Sequence, residues 1–123
     1  IDIICSDHNP EDIENKRTEF NNAAFGIIGL ETAFGLICKY LSDDLSLDEI
    51  IQKISINPRK LLNLEYNSIE EGNYADLTLF NPYIEWKYLE KDIISKSKNT
   101  PFIGETLKGK AIAIYNNNNF SVL

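Results

Sequence analysis

The sequence contains no methionine, one histidine and two cysteines among its 123 residues. Cys5 and Cys38 both lie in apolar runs and form no CxxC pair, so we expect buried free thiols rather than a disulfide or a zinc knuckle. One histidine with scattered carboxylates cannot supply the roughly four ligands of a closed zinc site. Because methionine is absent and the first residues already resemble a strand, we expect a fragment or an excised domain of a longer protein.

Basic residues and long apolar runs are also scarce. Twelve lysine and arginine residues against nineteen aspartate and glutamate residues give a net charge of -7, the wrong sign for a surface that binds nucleic acid or anionic lipid. The longest apolar runs, such as residues 23–30, are far shorter than the roughly 20 residues of a membrane-spanning helix, and no basic and apolar signal segment opens the chain. We therefore expect a cytoplasmic protein with no nucleic-acid or membrane partner.

The composition is that of a soluble domain, with 43% hydrophobic and 25% charged residues. Residues 1–5 form a β-branched apolar run typical of a strand buried on both faces, whereas residues 11–22 are charged and weakly periodic, as in a solvated loop. From Gly29 the apolar residues recur at three- and four-residue spacing, which predicts an amphipathic helix that ends near Leu41.

Two further helices are predicted from their start signals. Ser46 followed by Glu49 is a capping box, and an apolar stripe follows it. Asn57 as a cap and Pro58 at the first helical position predict a third, short helix.

The second half of the chain has the patterns of strands. Residues 74–80 alternate with period two and end before an Asn-Pro pair, and residues 84–88 are a second candidate. Residues 110–115 are expected to pair with residues 120–123 across an asparagine-rich turn. The first half thus has the pattern of the end of an α/β unit, and the second half that of a β-domain that needs partners.

Asp7, His8 and Glu11 directly follow the first predicted strand, where parallel α/β architectures place catalytic side chains. The same residues are also typical of a solvated turn, so the residue types alone leave both interpretations open. Gly26 and Gly29 lack the Lys, the Ser and the spacing of phosphate loops. We expect such glycines to let the backbone approach a ligand or a neighbouring element closely.

At this point several motifs resemble one family. Residues 4–10, ICSDHNP, resemble the segment of cyclic amidohydrolases in which the last barrel strand ends in Asp-His-x-Pro. Residues 19–32, EFNNAAFGIIGLET, resemble the dihydroorotase loop and helix that follow this strand, and residues 57–62, NPRKLL, are similar to a later helix of the family. Residues 69–80 resemble the superfamily's G-x-x-ADL strand, and residues 95–109 resemble the dihydroorotase ending with its Asn-Thr-Pro-Phe segment.

This resemblance implies a fold of the class α/β plus β. Residues 1–65 would be the last strand and following helices of a metal-dependent (β/α)8 barrel, and residues 66–123 the C-terminal part of a small composite β-domain. It also implies zinc-dependent, reversible hydrolysis of the cyclic amide of dihydroorotate to carbamoyl-aspartate in pyrimidine biosynthesis. The partners would be that small-molecule substrate and the rest of the barrel, with a homo-oligomer left open. The fragment by itself is expected to be inactive.

The resemblance also assigns roles to residues. Asp7 matches the family's aspartate that is both a zinc (Zn²⁺) ligand and the catalytic acid and base, and the backbone at Phe25 and Gly26 would touch the substrate ring. Glu11 stands where the family commonly has a histidine that holds the substrate carboxylate. Either substrate anchoring is rearranged, or Glu11 points away, or the parent protein is a non-catalytic scaffold homologue. An allantoinase or a hydantoinase is the rival enzyme.

Overall fold

The computed structural model describes residues 1–65 and 68–123. Short helical elements precede a small sheet, and no helix in the described ranges is both long and apolar enough to cross a membrane. The α-helices are α1 (Ile13–Lys16), α2 (Ala33–Leu41), α3 (Leu47–Ile51) and α4 (Asn57–Leu61), with 3-10 turns at Phe20–Asn22 and Glu90–Asp92 and a π turn at Gln52–Ile56. The strands are β1 (Leu77–Lys87), β2 (Thr106–Asn116) and β3 (Asn119–Val122).

Helix α2 ends at Leu41, as its apolar spacing predicts. Its closest packing against the sheet involves Gly35 and Cys38, which are both buried. A side chain at position 35 would come within 3.1 Å of the Leu107 Cβ atom on β2, so the glycine lets helix and strand approach closely. The exposed Leu30, in contrast, lies outside the helix.

The predicted break between the second and third helices is wrong. Helix α3 begins at the predicted Ser46 and Glu49 capping box, but it continues through the π turn into α4. Asn57 has helical dihedral angles, and its side-chain amide donates to the Asp2 carbonyl at 2.8 Å instead of capping a helix. Since Pro58 has no N–H and its ring would clash with the carbonyl four residues earlier in a regular helix, the widened turn just before it accommodates the proline.

The three strands form one antiparallel sheet in the order β1-β2-β3. The predicted hairpin is confirmed: β2 and β3 are joined by Asn117 and Asn118, whose φ values of 48° and 59° suit a two-residue turn. The predicted division of residues 74–88 into two strands is wrong, because β1 continues through Asn81 and Pro82. Pro82 lies in a register shift between Asn81 and Glu85, where the missing N–H leaves no ladder bond unmade.

The predicted strand at residues 1–5 is also wrong for this chain. No strand among the described residues pairs with it, and its backbone is tied to the helices by the Ile4 amide, which donates to the Lys53 carbonyl at 3.0 Å. Ile1 is 97% exposed, and Cys5 is exposed rather than buried, whereas Cys38 is buried as predicted. An apolar run becomes a ladder strand only where a partner strand satisfies its backbone groups.

One core cluster joins the two halves of the sequence. Ile28 from the first half packs with Tyr88, Ile93 and Leu107 from the second. The helices and the small antiparallel sheet agree with the helical and β parts of the predicted class, but its α/β part, the end of a barrel, is not formed by the described residues. The division into residues 1–65 and 66–123 stays a prediction, and Tyr66 and Asn67 lie outside the described residues.

Candidate functional site

Asp7 lies at the end of the extended first segment, with its side chain exposed. Its φ of 45° places it in the left-handed region, which aspartate tolerates better than most residues. Within the described residues, no hydrogen bond to its carboxylate is formed. The position therefore offers a solvent-facing carboxylate on a bent backbone, which suits a group that exchanges protons with a ligand.

His8, next in sequence, connects this segment to the glycine-containing loop. Its Nδ1 atom accepts hydrogen bonds from the backbone amides of Gly29 at 3.1 Å and Leu30 at 3.3 Å. A nitrogen that accepts cannot carry the proton, so the neutral ring is protonated on Nε2. His8 also forms an isolated parallel bridge with Ile27. The ring thus has a structural role that its position in a polar loop does not reveal.

Asn9 brings the loop of Phe25 and Gly26 alongside Asp7. Its backbone amide donates to the Ile27 carbonyl at 2.9 Å, and its side-chain amide donates to the Phe25 carbonyl at 3.2 Å. Gly26 has a φ of 126°, and a Cβ atom there would lie 2.5 Å from the Asn9 Nδ2 atom. The glycine is therefore required for the two segments to lie this close.

The other glycine of the loop serves the same contact. A Cβ atom at Gly29 would lie 2.4 Å from the Ser6 carbonyl oxygen. Both glycines permit close backbone approach to a neighbouring element, which was one of the two roles expected for them. The Phe25 side chain beside them is 93% exposed, so this edge of the loop presents an aromatic ring to solvent.

Glu11 is half-buried at the start of the charged loop. Its carboxylate accepts from the Asn15 side chain at 3.4 Å, and its backbone carbonyl accepts from the Ser97 hydroxyl at 2.7 Å. The loop returns to the site through Asn15 and Lys16, because the Ala24 amide donates to the Asn15 carbonyl at 3.1 Å and the Lys16 ammonium donates to the Ala24 carbonyl. Glu11 is thus held near the two site segments by its backbone.

Two polar residues of this region were missed by sequence reasoning. The Glu31 carboxylate accepts from the Tyr88 hydroxyl and from two backbone amides of the segment at residues 93–99. Asn99, at the other end of that segment, donates its side-chain amide to the Gly26 carbonyl at 2.7 Å. The available signal was a charged residue, Glu31, inside an apolar run that precedes a helix.

The family resemblance implies a zinc ion near Asp7, and the His, Cys, Asp and Glu side chains around it show whether one could be held there. A solvent-facing carboxylate is a suitable oxygen ligand for zinc. Across residues 1–65 and 68–123, however, no three His, Cys, Asp or Glu side chains form a group that could hold a metal ion. The Nδ1 atom of His8, moreover, is already engaged by the backbone. Asp7 therefore fits as one ligand, and the described residues do not fit a complete zinc site.

Two grooves are formed by residues away from the candidate site. One has a volume of about 650 Å³ and lies between the helices and the sheet, with Phe34, Ile54 and Phe80 among its lining residues. The other, of about 340 Å³, is lined by residues of the segment from Ser68 to Leu77. Neither lining includes Asp7, Glu11, Phe25 or Gly26, so these two grooves are separate from the candidate site.

Comparison with known proteins gives the chain its relatives. It is 44% identical over 119 residues to the dihydroorotase of Chlorobaculum tepidum, a match that covers 95% of this chain and 27% of that protein. It is 46% identical over 112 residues to the dihydroorotase of Clostridioides difficile, with 89% and 26% covered. The chain thus spans about a quarter of the length of these relatives, and the resemblance to dihydroorotases is confirmed.

Solved structures show the same fold at lower sequence identity. The chain superposes with a TM-score of 0.85 on the D-hydantoinase (dihydropyrimidinase) from a Thermus species, at 23% identity, covering 99% of this chain and 28% of that one. The L-hydantoinase from Arthrobacter aurescens gives 0.85 at 24% identity, covering 100% and 30%. The profile of the Amidohydrolase family matches residues 1–117. Because this match extends over nearly the whole chain, the chain belongs to the amidohydrolase family.

Proposed function

We propose that this chain is part of a dihydroorotase, an enzyme that reversibly hydrolyses the cyclic amide of dihydroorotate to carbamoyl-aspartate in pyrimidine biosynthesis. The observation that carries the proposal is the identity of 42–46% to several dihydroorotases over about nine-tenths of the chain. The juxtaposition of Asp7 with the loop of Phe25 and Gly26 supports it. The complete protein is proposed to be cytoplasmic.

Asp7 is the proposed catalytic acid and base. Its exposed carboxylate takes a proton from the attacking water as the new C–O bond forms, and delivers it to the ring nitrogen as the C–N bond breaks. A zinc ion would supply Lewis-acid polarisation there, with Asp7 as one ligand and the others proposed to come from other parts of the protein. This division of ligands is why the 123-residue chain alone is proposed to be inactive.

Phe25 and Gly26 are the proposed substrate contacts. The peptide groups around Gly26 are proposed to meet the substrate ring, and the exposed Phe25 side chain offers an apolar wall beside them. Peptide N–H and C=O groups at fixed positions are suited to a cyclic amide, which itself carries both kinds of group.

Glu11 favours a second candidate function. A carboxylate in place of the histidine expected there repels an anionic substrate, so a non-catalytic, dihydroorotase-like scaffold subunit is the alternative. Hydantoinase activity is supported less well, because the hydantoinase structures are only 18–24% identical in sequence to this chain and therefore show a shared fold alone.

The test is a substrate panel on the full-length protein that contains this chain. Dihydroorotate, hydantoin and allantoin are assayed with the same preparation, whose zinc content is measured. Turnover of dihydroorotate with bound zinc supports the proposal, turnover of hydantoin or allantoin alone identifies the rival enzymes, and a folded protein without turnover identifies the scaffold. In parallel, the 123-residue chain is expected to show no turnover and no stoichiometric zinc.

A further inference from the structure

The segment at residues 93–99 is anchored at its beginning by Glu31. The half-buried Glu31 carboxylate accepts from the Ile94 amide at 3.1 Å and the Ser95 amide at 2.7 Å with one oxygen. Its other oxygen accepts from the Tyr88 hydroxyl at 2.8 Å. Three donors on one carboxylate hold the segment against the core, since each charge-assisted hydrogen bond is stronger than a neutral one.

The same segment contacts both halves of the candidate site at its end. The Asn99 carbonyl accepts from the Ile28 amide at 3.0 Å, and the Ser97 hydroxyl donates to the Glu11 carbonyl at 2.7 Å. The Asn99 backbone amide donates to the same Ser97 hydroxyl at 3.2 Å. The segment therefore links the core to the loop of Gly26 and to the start of the charged loop.

Two asparagine side chains hold the peptide groups on either side of Gly26. Asn9 donates to the Phe25 carbonyl at 3.2 Å, which orients the peptide between residues 25 and 26. Asn99 donates to the Gly26 carbonyl at 2.7 Å, which orients the peptide between residues 26 and 27. Glycine can adopt more backbone conformations than any other residue. These two bonds help to select the one with a φ of 126° at Gly26.

We propose that Asn99 is a positioning residue for the substrate-contacting backbone at Gly26, with Glu31 anchoring the segment that carries it. The inference rests on the proposed function, because it assumes that the peptide groups around Gly26 touch the substrate. Asn99 itself touches the loop and acts through it. A misoriented peptide group presents its N–H or C=O away from the ligand, and small displacements of positioning groups lower rates strongly.

The test replaces Asn99 in the full-length protein. Asn99→Asp keeps the shape of the side chain but removes the N–H that donates to Gly26, and Asn99→Ala removes the donor without adding charge; both keep the backbone bond to Ile28. Asn73→Asp is the matched control, since Asn73 also donates its amide to a backbone carbonyl, that of Ser68 at 3.2 Å, in a segment outside the site.

Two measurements separate the inference from the proposed function. Hydrogen exchange of peptides covering residues 25–30 reports on the loop whether or not the protein turns over a substrate. Steady-state kinetics with dihydroorotate report on the substrate contact. We expect faster exchange in both Asn99 variants, and a kcat/KM lower by about tenfold or more, mainly through KM. Asn73→Asp should leave both quantities unchanged.

Unchanged exchange at residues 25–30 in both variants would overturn the positioning role, whatever the activity. Faster exchange with kcat/KM equal to that of Asn73→Asp would overturn the link to substrate binding. A wild-type protein without dihydroorotate turnover would instead contradict the proposed function, and the exchange data would still decide whether Asn99 orders the loop. If Asn99→Asp fails to fold, Asn99→Ala decides the question.

Discussion

The Tyr88 hydroxyl donates a 2.8 Å hydrogen bond to the Glu31 carboxylate across 57 positions of sequence. Tyr88 is 1% exposed, and it follows strand β1 directly, so the bond ties the sheet to the segment that precedes α2. Tyr88→Phe should lower the free energy of unfolding by roughly 1.5–3 kcal/mol, the range for a hydrogen bond to a charged group. Urea unfolding followed by the fluorescence of Trp86, the single tryptophan, measures it. Tyr74→Phe, at an 86% exposed tyrosine, is the control, and equal midpoints for the two variants would contradict the prediction.

The stability contributed by Tyr88 should depend on pH in the alkaline range. Burial raises the pKa of the Tyr88 hydroxyl above its ordinary value near 10, and the bond to Glu31 adds to the effect. Above about pH 10 the unfolded chain loses this proton while the folded chain keeps it, so stability falls as pH rises, by at most about 1.4 kcal/mol per pH unit. Unfolding between about pH 9 and 11 should therefore show a weaker pH dependence in Tyr88→Phe. Parallel curves for the two proteins would rule this out.

Gly109→Ala should destabilise the packing of α2 on β2. A Cβ atom at Gly109 would lie 2.8 Å from the Cys38 Sγ atom and 2.9 Å from its Cβ atom. Gly104 is a matched control, because its φ of 88° is close to the 89° of Gly109 but no atom lies within 4 Å of the added carbon. The two variants share the cost of a left-handed alanine, so the steric overlap alone should make Gly109→Ala less stable by roughly 1–3 kcal/mol. Thermal or urea unfolding of both variants gives the difference directly. A difference near zero would contradict the predicted cost of the overlap with Cys38.

Asp7→Asn in the full-length protein should keep the fold and lower turnover by at least about 10²-fold, the lower range for a positioned acid and base. The substitution keeps the shape of the side chain but removes its ability to accept a proton at neutral pH. Asp12→Asn, at an exposed residue before α1 that forms no side-chain cap, is the control. Steady-state rates and circular dichroism of both variants are required, and near-native activity of Asp7→Asn would refute the assignment.

Glu11 should be neutral to ligand binding or opposed to it. If charge repulsion weakens the binding of dihydroorotate, Glu11→His and Glu11→Gln should both tighten it, because each removes the negative charge. Glu14→Gln on α1 removes a charge from an exposed neighbouring position and is the control. Calorimetric titration of the full-length variants gives the affinities. A clear loss of affinity in both Glu11 variants would mean that this carboxylate anchors the ligand.

Local signals in the sequence predicted the elements whose stabilising contacts are near in sequence. The capping box of Ser46 and Glu49 spans three positions, and both of its hydrogen bonds are formed. The turn at Asn117 and Asn118 needs only two residues that tolerate positive φ. In contrast, the π turn before Pro58 was not predicted, because a proline signals a helix start and an interior widening by the same local chemistry.

Exposure and pairing of the first segment could not be read from its residues. The apolar run at residues 1–5 has the composition of a buried strand, but strand formation and the burial of Cys5 depend on partner strands. For the site, the motifs pointed to Asp7, Phe25 and Gly26, but gave His8 no structural role. The acceptor role of the His8 ring depends on amides 21 and 22 positions away.

The sequence by itself determined the family, the end of α2, the β2-β3 hairpin and the residues proposed for chemistry, because each is encoded in a contiguous motif. Only the tertiary structure decided how the loop of Gly26 is held. The bond from Asn99 to Gly26 spans 73 positions, and that from Ser95 to Glu31 spans 64. A hydrogen bond between such distant residues depends on where folding brings the backbone, and no local preference of either residue specifies its partner.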